Sequence, residues 1–356
     1  MRRHRLLLLA YWAWMAAAHP ATVYAPVTAG KPLSFPTDYG SHPDFRTEWW
    51  YVTGWLTTAQ GESLGFQITF FRTKPSVADD NPSSFSPRQI LIAHCAISDP
   101  KHGRLWQDQR IRRAGMGLAE AALGDTSVSI DRWSLVRQEA SYVAKIQAED
   151  FSFDLTLTPT QAPLLNGEAG MSRKGPGEAA ASYYYSVPHL RVSGGIARQG
   201  NPTKVTGEAW LDHEWSSEYL DEQAVGWDWL GLNLDDGSAL MAFRIRGARG
   251  EQRWAGGTVR SSDGSVTFLK PTDVDFQERR RWSSHRTSIS YPVEWTVRSG
   301  GRSFAIRPLM DDQENDTRLS TGAIYWEGAV TAFEGNTPIG RGYLELTGYG
   351  EKLRLR

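Results

Sequence analysis

Three short stretches of the chain gather residue types that move protons. In "RTEWWYVTGW", Arg46 to Trp55, the carboxylate Glu48 precedes the tryptophan pair Trp49 and Trp50 and then Tyr51. In "AWLDHEWSSE" the imidazole of His213 lies between Asp212 and Glu214 and near Trp215. In "GWDWLGL" Asp228 is bracketed by Trp227 and Trp229. A carboxyl against apolar rings is poorly solvated, so its pKa rises and it can hold a proton near neutral pH. Indole faces stabilise a cation through their quadrupole. Acid plus aromatic wall therefore suits protonation of a carbon–carbon double bond through a carbocation, with a histidine as base or proton shuttle. Each stretch also has a bland reading: a strand start closed by a salt bridge, a core histidine bonded to a carbonyl, or an aspartate facing water.

Alternation with a period of two decides which of these residues share a face. Asp212, Glu214 and Ser216 fall on one face of a strand, and Leu211, His213 and Trp215 on the other. Asp44, Arg46 and Glu48 alternate on one face, so Arg46 could pair with either acid; a buried pairing would depress the pKa of that acid. Two other signals are discounted. Gly61-Glu62-Ser63-Leu64-Gly65 fits the G-x-S-x-G pattern of a serine hydrolase, but it sits between two strands, where a nucleophile elbow needs a strand-to-helix turn. No H-E-x-x-H and no cysteine pair is present, so no metal and no cofactor is expected. The single cysteine, Cys95, reads as a buried strand residue.

The elements that must position these groups are strands. "SLGFQITFF" and "FSFDLTLTP" alternate strictly, and Asp235-Asp236-Gly237, Ser262-Asp263-Gly264 and Ser299-Gly300-Gly301 mark hairpins. One short helix is suggested at Gly115 to Leu123. "GEAWLDHEW" from Gly207 resembles "GRGYLELTGY" from Gly340, and each copy follows a tyrosine-rich strand. The expected fold is all-β, with two related antiparallel barrels in tandem. The first is expected over 33–220 and the second over 221–352.

The beginning, "MRRHRLLLLAYWAWMAAAHPATVYA", has the anatomy of a cleavable signal peptide over residues 1–25, cut between 18 and 25. That implies a periplasmic or secreted product, which could associate peripherally with a membrane or an export system. Net charge is −1, from 39 basic and 40 acidic residues, which argues against a nucleic-acid partner. The 15 tryptophans suit the walls of an apolar ligand pocket.

Taken together, "FPTDYGSHPDFRTEWWYVTGWL", "GFQITFFR", "WLDHEWSS", "GWDWLGLNLDDG", "YPVEW", "YWEGAV" and "GRGYLELTGY" resemble the AttH-like and carotenoid 1,2-hydratase (CrtC) family, in its secreted AttH-like branch. The resemblance runs from about Phe35 to Tyr349. It implies two lipocalin-like (calycin) β-barrels. It also implies that His213 and Trp215 match the His-x-Trp element of the hydratases, with Asp228 as the acid. Two functions follow as expectations. One is a carrier of an apolar lipid or isoprenoid, gripped by Trp49, Trp50, Tyr51, Trp215 and Trp227. The other is a cofactor-independent hydratase or isomerase of an alkene, in which Asp228 or Glu48 donates the proton and His213 handles water.

Overall fold

The computed structural model describes residues 22–353 apart from 77–82 and 84; most of the expected leader, residues 1–21, lies outside the described residues. The chain forms two antiparallel sheets, one of 13 strands and one of ten. In the first, the strand Thr47–Thr58 lies between Ser63–Thr73 and the last strand, Asn201–Ser216, which in turn pairs with Ala181–Arg198. In the second, Ala224–Leu234 lies between Ala239–Gly247 and the last strand, Thr337–Leu346, which pairs with Ala323–Glu334. Pairing of first strand with last curls each sheet into a lipocalin-like barrel. The far edges meet by packing: Arg104–Arg113 approaches Ser127–Ile130, and Gln252–Arg260 approaches Val274–Ser283.

Alternation explains three layers of core. Leu64, Phe66, Ile68 and Phe70 join Phe151, Phe153, Leu155 and Leu157 inside the first barrel. Leu230, Leu232, Trp295 and Leu344 fill the second. Tyr51, Trp55, Trp210, Trp229, Phe243 and Tyr343 pack between the two barrels. The central strands are therefore buried on both faces, which is why they read as near-continuous aromatic and aliphatic runs.

The suggested helix at Gly115 to Leu123 does not form. Positive φ angles at Gly115, Met116 and Gly117 make a turn instead, followed by the short strand Ala119–Ala121. The three expected hairpins do form, with φ of +84° at Gly237 and +86° at Gly264. Ser63 opens a strand after a strand-to-strand turn, so the serine motif has no elbow. Cys95 is buried in the first core.

The repeated segments occupy equivalent slots. "GEAWLDHEW" lies on the last strand of the first sheet and "GRGYLELTGY" on and just after that of the second. Both begin with a glycine whose missing side chain lets a neighbouring carbonyl approach. A Cβ on Gly207 would collide with the Trp55 carbonyl, and one on Gly340 with the Asn233 carbonyl. Gly207→Ala and Gly340→Ala are each expected to destabilise the protein by about 1–3 kcal/mol, read as a lower urea midpoint.

Candidate functional site

The end of the first barrel holds a polar centre built on Glu48. The register places Arg72 and Trp215 on either side of Glu48, and Phe70 and His213 on either side of Trp50. These residues face the barrel interior in two adjacent cross-strand rows. Arg72 Nε lies 2.7 Å from one Glu48 carboxylate oxygen, and neither residue is accessible to solvent beyond 2%. The other carboxylate oxygen, Oε1, is shared by two imidazoles, His213 Nε2 at 2.9 Å and His42 Nδ1 at 2.7 Å. The His42 backbone N–H also donates to Glu48. Beyond the shared oxygen the chain of contacts continues both ways: His42 Nε2 meets Asp38 at 3.1 Å, and His213 Nδ1 meets the Tyr185 hydroxyl at 3.0 Å.

Aromatic rings hold both imidazoles. His42 stacks on Trp215 with centroids 3.7 Å apart and planes 6° apart, and Trp50 stacks on His213 at 4.6 Å. His42 belongs to the segment 22–46, which lies across the barrel end. Ala25 N–H bonds the Asp44 carbonyl, Thr28 bonds the Tyr183 hydroxyl, and Leu33, Phe35 and Tyr39 pack on the core. Arg72 secures this cover by donating to the carbonyls of His42 and Phe45.

The electrostatics assign a charge to each group. Burial disfavours an ionised Glu48, but the Arg72 guanidinium and the hydrogen bonds from His213 and His42 outweigh it and hold its pKa well below the ordinary carboxylate value. Burial likewise opposes a charged His42, yet its bonds to Asp38 and Glu48 prevail and raise its pKa. For His213 burial wins over the bond to Glu48, and its pKa falls. These shifts favour a carboxylate at Glu48, the protonated form of His42 and the neutral form of His213. An ionised Glu48 does not suit the role of proton donor that the sequence suggested. The group beside it whose protonated form is favoured is His42. Among the described residues, His42, Glu48 and His213 are also the three whose ligand atoms come within 4.8 Å and could share a metal ion. The charges of Asp38 and Glu48 are, however, already matched by Arg72 and His42.

The structure joins Glu48, His213, Trp50 and Trp215, and separates the other expected residues from them. Asp228 faces the interior of the second barrel, on the face of Leu230 and Leu232. Arg244 holds it at 2.5 Å, Arg246 at 3.1 Å and the Tyr349 hydroxyl at 2.9 Å. Its sequence neighbours Trp227 and Trp229 point the opposite way, so the expected indole bracket does not enclose it. Arg46 pairs with neither acid, and its guanidinium lies over the Tyr24 ring. Trp49, Tyr51 and Trp227 line the seam between the barrels. That seam holds its own acids. Asp212 is buried and Glu345 half-buried, and desolvation raises each to about 7. Glu214 pairs with Lys174 at 2.8 Å, and Glu327 faces Tyr51 and Tyr325. A cavity of about 240 Å³, lined in part by Trp55, Trp210, Asn233 and Tyr343, lies in the seam away from Glu48.

Two tandem lipocalin-like barrels with a histidine–carboxylate centre in the first define the class. The AttH-like family matches residues 26–349, and the chain belongs to it. It shares 56% identity and a TM-score of 0.86 with the crystal structure of an AttH protein from Nitrosomonas europaea, over 91% of this chain and 99% of that one. Dehydratase asqC of Emericella nidulans is 24% identical over 96% of this chain and 99% of its own length. Kievitone hydratase from Nectria haematococca has the same fold, with a TM-score of 0.69 at 15% identity, over 92% of this chain and 96% of that one.

Arg72→Met leaves Glu48 buried without its guanidinium and is expected to cost about 3–5 kcal/mol in urea unfolding. The seam gives a prediction of its own. A carboxyl whose pKa is raised in the folded state stays protonated while the unfolded chain ionises. Stability therefore falls as pH rises from the ordinary value of 4.5 for Glu345 to about 7, and levels off above. The slope is on the order of 1.4 kcal/mol per pH unit for one group. Glu345→Gln should flatten that part of the stability profile.

Proposed function

We propose that this protein is an exported hydro-lyase that adds water to, or removes it from, an apolar substrate across a carbon–carbon double bond. One observation carries the reading: a single oxygen of Glu48 is shared by two imidazoles whose surroundings displace their pKa values in opposite directions. Groups pushed apart in this way divide into an acid and a base. In the hydration direction, His42 gives its proton to one alkene carbon. Water then bonds to the carbocation, and the surplus proton of that water passes to His213. The shared Glu48 oxygen returns it to His42, so no net proton is consumed. Trp50, Trp215 and Tyr183 supply π-faces for the cation. The relatives support the direction of this reading, since one is named a dehydratase and another of the same fold a hydratase.

The test is incubation with a panel of isoprenoid and prenylated alkenes in heavy-oxygen water, followed by mass spectrometry. The wild-type protein should place the label in an alcohol product, and Glu48→Gln should lower the rate at least about 100-fold. Alkenes that bind both proteins and acquire label from neither would make this a carrier and end the hydro-lyase reading.

A further inference from the structure

We infer that the Tyr185 hydroxyl is the atom through which the Glu48–His213 pair takes a proton from the reacting water. The inference rests on the hydro-lyase reading above and assigns the contact atom of its base.

Arg72 and the two imidazoles keep Glu48 ionised, and a carboxylate only accepts. His213 Nε2, 2.9 Å from the Glu48 oxygen, must then be the N–H. His213 is held neutral by burial, so its Nδ1 carries a lone pair. The Tyr185 oxygen lies 3.0 Å from that Nδ1 and must donate to it. Having donated its one proton, the oxygen keeps its lone pairs, and among the described residues it makes no other hydrogen bond. Burial holds the phenol pKa well above its ordinary value, so Tyr185 is a neutral relay, not a phenolate.

Position agrees with this role. Tyr185 meets Phe35 edge-on at 5.1 Å and Tyr39 at 5.9 Å. Both rings belong to the segment 22–46 that covers the barrel end. A substrate reaches Tyr185 by taking the place of the Phe35 ring, which favours a flat, unsaturated, apolar group there. In the step itself the C–O bond forms between water and the carbocation. A water proton moves to the Tyr185 oxygen as the proton of Tyr185 moves to His213 Nδ1. The resulting imidazolium faces Glu48, which passes the proton on toward His42.

Tyr185→Phe removes the hydroxyl and keeps the ring. Its kcat for hydration should fall about 10²–10⁴-fold, with KM within a few-fold of wild type. Nitrogen-resolved NMR of histidine-labelled wild-type protein should show His213 neutral and protonated on Nε2, with Nδ1 accepting a hydrogen bond that Tyr185→Phe abolishes. A fluorotyrosine at position 185, more acidic than tyrosine, should move the alkaline limb of the kcat profile to lower pH; a purely structural hydroxyl would leave that limb in place. Wild-type turnover by Tyr185→Phe beside an inactive Glu48→Gln would overturn the assignment of Tyr185 and spare the hydro-lyase reading. An active Glu48→Gln would overturn that reading itself. A proton found on Nδ1 of wild-type His213 would overturn the relay whatever the substrate.

Discussion

The strand Thr47–Thr58 and the second half of Asn201–Ser216, from Ala209 onward, are buried on both faces, and everything chemical in the first barrel depends on that constraint. Side chains alternate between barrel interior and inter-barrel seam. Glu48 and Trp50 on one strand, and His213 and Trp215 on the other, face inward. Trp49 and Tyr51, with Trp210, Asp212 and Glu214, face the seam. A slip of one residue would exchange the two sets and put Asp212 where His213 stands. Close backbone contact at Gly54 and Gly207 leaves no room for such a slip, because each glycine lies against a carbonyl of the opposing strand.

The two buried polar regions meet the cost of desolvation differently. The Glu48 centre is ionised, and its charges are matched within it. Arg72 also fills carbonyls of the covering segment, so the same guanidinium that stabilises the carboxylate keeps the barrel end closed. In the seam, Lys174 faces Glu214, while burial holds Asp212, Glu327 and Glu345 toward their protonated forms. One region thus stores charge and the other stores protons.

Much of this was legible in the sequence. Strict alternation, glycine-bearing turns and the repeat at Gly207 and Gly340 gave the all-β class and the tandem plan. Glu48 and His213 stood out because a charged and a titratable group lay among tryptophans. Their meeting did not stand out, since it depends on a register joining residues 165 apart. His42 was passed over in a stretch with no periodicity. Arg72 carried a usable signal: it continues the inward face of Ile68 and Phe70, where an arginine needs a buried partner. Asp228 misled because adjacent residues in a strand point to opposite sides, so indoles on either side in sequence are not on either side in space. The helix at Gly115 failed because three consecutive left-handed residues outweighed a run of good helix formers.

The two barrels also differ where they correspond. Superposing the repeats puts Asp228 in the slot of Trp50, Leu346 in that of His213 and Arg246 in that of Arg72. The second barrel end therefore holds an acid clasped by arginines and has a leucine where the first has an imidazole. The same strand arrangement thus closes two barrel ends differently: in one a carboxylate lies between two arginines, and in the other a single carboxylate oxygen lies between two imidazoles.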